Sequence, residues 1–217
     1  MLIKVGTFAV TALMALSGLA TLTVGSGLAL FTGQSSNTNN TFTSADCFPG
    51  NTGLLNPSAN GADTGGSGNG FETNPTFAYA DAGGVAGNIN GASDRHRYYN
   101  YSLPIGGGCA IKGIEVRLDW YLDDDRETNS MSVELSWDGG TSWTAPKTDT
   151  VESVMTEHTT VLGSSTDTWG RSWTVNELSN ASFRVRLTSN CSGIPGQCSK
   201  RDYYLDWVPV TIYYGPP

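Results

Sequence analysis

The chain is predicted to be all-β: a β-sandwich preceded by a hydrophobic N-terminal segment. Three observations predict it. Apolar and polar side chains alternate along several short stretches, the period of a half-buried strand. Glycine is abundant, 27 of 217 residues, and six Trp and nine Tyr join it. That mixture favours strands linked by tight turns. Beyond residue 31 no segment carries the apolar repeat of an amphipathic helix.

The N-terminal segment comes first in the chain and differs from the rest. Val5 to Phe31 is apolar or small, and no charge follows Lys4 until Asp46. An export signal with cleavage after Gly27-Leu28-Ala29 fits this run. A retained transmembrane helix, which needs about 20 apolar residues, fits it as well. The expected organisation is therefore a signal peptide or retained hydrophobic helix over 1–29, a flexible or donor-strand segment over 30–70, and the sandwich over 71–217. Gly61 to Gly70 is close to a flexible linker in composition. Asn39 to Thr43 is a short strand candidate.

In the sandwich region, Phe77 and Tyr79 begin one short strand candidate. Asp81 to Arg97 reads as turn-like. Tyr99, Tyr101 and Leu103 alternate. Ile114, Val116, Leu118, Trp120 and Leu122 share one face and form the clearest strand, with Glu115, Arg117, Asp119 and Tyr121 on the other. Met131, Val133, Leu135 and Trp137 follow, closed by the turn pair Asp138-Gly139. Thr148 to Val161 has no clear period. Gly163 to Gly170 reads as a loop and Val175 to Leu178 as one helical turn. Phe183, Val185 and Leu187 alternate again. From Tyr203 to Tyr214 both parities are partly apolar, so this strand is expected to be central, and Pro209 calls for a bulge or an edge nearby.

Four cysteines point to an oxidising destination. Cys191 and Cys198 flank a Gly- and Pro-containing loop that can bring them within disulfide range. Cys47 and Cys109 would then form a second bridge, although four cysteines allow three pairings. No CxxC occurs, and His96 and His158 sit in polar surroundings without ligand spacing, so both are expected at the surface. The net charge is -8. A chain this acidic is a poor partner for nucleic acid, whose phosphates need Lys and Arg.

Two stretches resemble known families. Ala29-Leu-Phe-Thr-Gly-Gln-Ser-Ser-Asn-Thr-Asn-Asn-Thr-Phe-Thr-Ser-Ala45 resembles the cleavage region of proteins handled by the SipW-type signal peptidase, the TasA and camelysin group of extracellular matrix and fibre proteins. The resemblance implies cleavage after Ala29 and a mature start at Leu30-Phe31. It departs from the pattern at Leu30, where an aromatic is usual, and at Gly33-Gln34, where Ser-Asp is usual. Ile111-Lys-Gly-Ile-Glu-Val116, Leu135-Ser-Trp-Asp-Gly-Gly-Thr-Ser-Trp-Thr144, Asp167-Thr-Trp-Gly-Arg-Ser-Trp173 and Phe183-Arg-Val-Arg-Leu187 resemble a jelly-roll-like module of secreted bacterial surface proteins. That module carries no agreed enzymatic activity.

The candidate functional residues fall into four groups. Asp123, Asp124 and Asp125 supply hard oxygen ligands, so calcium is the ion to test and no other cofactor is expected. Trp169, in a loop between Thr168 and Gly170, is the candidate sugar-stacking ring, with Tyr98, Tyr99 and Tyr121 as companions. Glu115 and Asp119 are outward carboxylates on one strand, Glu134 lies on the parity opposite the Met131 row, and Asp206 beside Trp207 is a possible partner. A glycosidase needs two such groups across a cleft, but they are also ordinary sheet surface, and no enzyme is expected. Leu30, Phe31 and Phe42 are the anchors of a strand that could add to a sandwich edge. The expected function is a secreted structural subunit of an extracellular filament, pilus or matrix, self-assembling into a homopolymer and touching cell-surface or matrix components. The alternative is a secreted carbohydrate-binding or adhesin module.

Overall fold

The computed structural model describes residues 35–37, 40–42, 47–66, 68–194 and 196–217. The chain divides into two units, 1–44 and 45–217. In the first, β1 (Ser35–Asn37) pairs antiparallel with β2 (Asn40–Phe42) as a small hairpin, with Phe42 opposite Ser35. Residues 1–29, Leu30 and Phe31 lie outside the described residues.

The second unit is a sandwich of two antiparallel sheets. The larger is built on β7 (Ala110–Leu122). One edge of β7 carries β10 (His158–Ser164). The other carries β12 (Tyr203–Trp207) and then β13 (Val210–Gly215). Outside these lie β5 (Ala86–Asn88) on β12 and β3 (Gly50–Asn51) on β13. The smaller sheet has the order β4 (Ala59–Asp63), β6 (Arg95–Tyr99), β11 (Arg184–Ser192), β8 (Thr128–Ser136) and β9 (Lys147–Asp149).

The core follows from the alternations. Ile114, Val116, Leu118, Trp120 and Leu122 are fully buried, as are Met131, Val133, Leu135, Val185 and Leu187. Burying one such side chain stabilises the fold by about 1.5–3 kcal/mol. Trp120 stacks on Tyr203 with ring centroids 6.4 Å apart. Its indole N–H donates to Asp149 Oδ2 at 2.8 Å, and His158 Nε2 is hydrogen-bonded to that same oxygen at 2.7 Å. The buried carboxylate is thus held by two ring groups.

Several expectations need correction. The sandwich starts before residue 71, because β3 and β4 already belong to its sheets. Ala59 to Asp63 is therefore a strand rather than a linker. Phe77 and Tyr79 lie in a 3-10 turn, Pro75–Tyr79, and Asp81 to Arg97 contains β5 and part of β6. Val175–Leu178 does form a single 3-10 turn. His96 is not a surface residue. It is 3% exposed, receives the Phe71 N–H on Nδ1 at 3.1 Å, and bonds Asn60 Oδ1 through Nε2 at 3.0 Å. Burial, with a smaller push from Arg97, lowers its pKa to about 4.

The last strand changes parity rather than burying both faces. Tyr203 and Leu205 point inward, then Val208, Val210 and Ile212 do. The register shifts between Leu205 and Trp207, and the ladder breaks at Val208-Pro209, so a bulge does sit beside Pro209. Both disulfides are present, Cys47–Cys109 and Cys191–Cys198.

Candidate functional site

The residues singled out in sequence do not meet at one place. Trp169 is 5% exposed, and its indole N–H donates to Ile114 O at 2.9 Å. It plugs the sheet and cannot present its ring to a sugar. Asp123 and Asp124 face Arg201, at 3.4 and 3.5 Å, and Asp124 also pairs with Arg126 at 3.0 Å. A guanidinium therefore stands where calcium was expected, while Asp125 is simply exposed. Among the described residues no group of three or more His, Cys, Asp or Glu is placed to hold a metal ion. Phe42 pairs within the β1–β2 hairpin.

A different constellation lies on the outer face of the larger sheet. Because side chains alternate along β7, its inward row leaves Glu115, Arg117, Asp119 and Tyr121 on the opposite side. The neighbouring strands add to the same face. Tyr204 stands directly opposite Tyr121 and Trp207 opposite Asp119. Glu157 precedes His158, the partner of Trp120 on the far edge, and Thr159 pairs with Asp119. The bulge between Leu205 and Trp207 inserts Asp206 into this row.

The rings come in two sets. Tyr121 and Tyr204 are stacked, with centroids 4.8 Å apart and planes 23° from parallel, and both are half-buried. The Tyr204 hydroxyl donates to Asp202 Oδ2 at 3.3 Å. Burial first, then the Asp202 charge, pushes its pKa up to about 12. Further along β7, the Arg117 guanidinium lies 4.6 Å above the Trp207 ring. The Trp207 indole N–H is anchored on Asn56 Oδ1 at 2.8 Å. Beyond it the Tyr213 hydroxyl donates to Glu115 Oε2 at 3.0 Å.

The carboxylates give the face its chemistry. Asp119 is fully buried and takes a bidentate clamp from Arg117, with Nε to Oδ1 at 2.9 Å and Nη2 to Oδ2 at 2.7 Å. Asp206 is 4% exposed, and its Oδ1 has no hydrogen-bond partner. Glu157 has its pKa raised from 4.5 to about 7, first by desolvation and then by the charges of Asp206, Asp119 and Asp81. Asp206 is raised too, by burial first and by the charges of Asp81 and Asp119, while a hydrogen bond with the Glu157 carboxyl and the Arg117 charge pull it back. Asp81, Asp119, Asp206 and Glu157 thus lie close enough to act on one another's ionisation, with the Arg117 guanidinium among them.

Tyr121 and Asp119 were visible in sequence as outward residues of β7, and Asp206 only as a carboxylate beside Trp207. Glu157 was not, because it lies in the stretch without a period. Tyr204 and Trp207 were visible only as members of a strand whose parity changes at the bulge. The outer face of the smaller sheet also carries rings, but its arginines are engaged. Arg184 lies over Tyr99 and donates to the carbonyls of Asn180, Ala181 and Phe183. Arg186 lies over Trp143 and pairs with Glu134 and Asp63.

No protein-family profile matches this chain, and no curated protein matches it in sequence. Distant likenesses to solved structures exist. One is the two-module CBM22-1 and GH10 fragment of Clostridium thermocellum endo-1,4-β-D-xylanase 10B complexed with xylohexaose, at 16% identity and a TM-score of 0.33, over 77% of this chain and 27% of that one. Another is a truncated AlyQ with CBM32 and alginate lyase domains, at 12% identity and a TM-score of 0.37, over 78% and 35%. The CBM35 of Cellvibrio japonicus Abf62 gives 11% identity and a TM-score of 0.35, over 73% and 90%. The chain therefore spans about a quarter to a third of the length of the first two.

Proposed function

We propose that this protein is an extracellular carbohydrate-binding sandwich, and that its binding ledge is the outer face of the larger sheet. The carrying observation is the stacked, half-buried pair Tyr121 and Tyr204 beside Asp206, whose Oδ1 accepts no hydrogen bond. A sugar ring has an apolar C–H face and an edge of hydroxyls. The first packs on aromatic rings and the second donates to carboxylates. From Glu115 to Tyr121 the row runs for about 20 Å at strand rise, long enough for an extended oligosaccharide. Asp119, in the middle of the row, is buried and clamped by Arg117, so the half-buried rings beside it offer the contact surface, and we assign the ledge binding and no bond cleavage. Two disulfides suit an oxidising, extracellular setting.

The test is glycan binding by the full chain, measured by calorimetry and affinity electrophoresis against a panel of soluble polysaccharides. Tyr204→Ala and Trp207→Ala should each weaken binding about tenfold or more, as loss of an aromatic anchor does. Tyr99→Ala, on the opposite sheet, should leave it unchanged. A panel in which nothing binds, or binding indifferent to Tyr204 and Trp207, would sink the reading.

A further inference from the structure

We infer that the glycan taken by this ledge is cationic: an amino sugar whose ring stacks on Tyr121 and Tyr204 and whose ammonium sits against Asp206 and Glu157. The inference rests on the carbohydrate-binding reading above and names its ligand class.

The first support is a charge imbalance on the ledge. Several carboxylates elsewhere on the molecule meet cations. Asp63 and Glu134 meet Arg186, Asp123, Asp124 and Glu127 surround Arg201, Asp167 meets Lys147, and Glu177 meets Arg171. On the ledge, Asp81, Asp119, Glu157 and Asp206 lie close enough to act on one another's ionisation. The cation there is Arg117, and its guanidinium is already clamped on Asp119 and stacked on Trp207. Among the described residues no salt bridge reaches Asp81, Glu157 or Asp206, and Arg117, already paired with Asp119, is the cation that acts on Asp206.

The second support is Asp206 itself. Its side chain is almost wholly buried and the carboxyl is hydrogen-bonded with Glu157, yet Oδ1 accepts no hydrogen bond. Buried acceptors in folded proteins are almost always satisfied, and an orphan costs about 1–3 kcal/mol. The bulge that inserts Asp206 into the row holds this oxygen among the other carboxyls. A donor carrying positive charge would both satisfy it and relieve the mutual repulsion.

The third support is the adjacent aromatic surface. An ammonium offers three N–H donors in compact form and is also attracted to ring faces. A sugar with an amine on its ring edge would place that amine at the carboxyls while its C–H face covers the tyrosines. A neutral sugar would supply donors without offsetting the charge. A uronic acid would add another negative group to an acidic face and should be excluded. A divalent ion fits less well, because no three carboxylates of the described residues are placed to share one.

The experiment uses the full chain, calorimetry near neutral pH and low salt, and three probes: a glucosamine oligomer, its N-acetylated counterpart of equal length, and a galacturonate oligomer. The glucosamine oligomer should bind at least about tenfold more tightly than the N-acetylated one, and the uronate should not bind. Raising NaCl from about 50 to about 500 mM should weaken the cationic ligand, because screening shortens the reach of the carboxylates, and leave any neutral binding unchanged. The isosteric change Asp206→Asn should erase the preference, and a melting curve at the wild-type position or above verifies its fold.

Equal binding of free and N-acetylated oligomers would overturn the inference while leaving the carbohydrate-binding reading intact. Absence of binding to these probes and to the whole polysaccharide panel would remove both. Calcium alone raising the melting temperature, with that rise lost in Asp206→Asn, would make the cluster a metal site and overturn the amine assignment.

Discussion

Glu157 shows how a single side chain can work against its own fold. Its pKa is about 7 in the folded chain against 4.5 for an ordinary glutamate, so the native state holds the proton more tightly than the unfolded state. The resulting stabilisation is complete below about pH 4.5 and is lost as pH rises through about 7. We therefore predict that the wild-type melting temperature falls between pH 5 and pH 8, and that Glu157→Gln removes much of that fall. Scanning calorimetry across this range checks it, and identical slopes in both proteins would refute it. His96 has the opposite sign, since its lowered pKa gives stability above 6.5 that is lost as pH falls through about 4. Neither role was legible in the sequence. A polar His between two arginines carries no sign that Phe71 and Asn60 will satisfy both ring nitrogens. Trp169 misled for a similar reason, since a flanking glycine marks a turn but does not say which way the ring points.

At the level of the strand, β7 organises the larger sheet, and its alternation is strong because one face is wholly apolar. The same clarity made β8 and the first half of β11 readable. Among the strands that escaped, β3, β4 and β5 are built from Gly, Asn, Ala and Asp, which leave no period to detect. They join the sheets through backbone hydrogen bonds and the packing of their neighbours. The candidate ledge was half visible for this reason. Its β7 row could be read, whereas its β12 members depended on a bulge that sequence places only approximately. The close approach at Gly113 tests the architecture of this sheet. A Cβ there would lie 2.3 Å from both the Ser164 carbonyl oxygen and the Ser165 carbonyl carbon. Gly113→Ala should destabilise the protein by about 1–3 kcal/mol, as overpacking does. Gly107→Ala, where a Cβ meets nothing within 4 Å, should leave stability unchanged. Urea denaturation of the pair decides the matter.

Across the whole molecule, the fold class was legible because composition and strand period agree, while the sandwich boundary was placed too late. The covalent framework explains part of that boundary. Cys47–Cys109 closes a loop of 62 residues and Cys191–Cys198 one of 7. On chain-entropy grounds the long loop contributes about 4 kcal/mol and the short one about 2 kcal/mol. Replacing each pair with serines should reproduce that ranking in denaturant midpoints, and an inverted order would contradict it. The long loop also has a mechanical meaning. A pull applied upstream of Cys47 cannot peel β3, β4, β5 or β6 away one after another, because the sulfur link carries the load past all four to Cys109. From there it enters β7, which is hydrogen-bonded along both edges. These four strands are thereby taken out of the line of force, and a domain tethered by its N-terminal side would resist tension through β7, the long strand at the centre of the larger sheet.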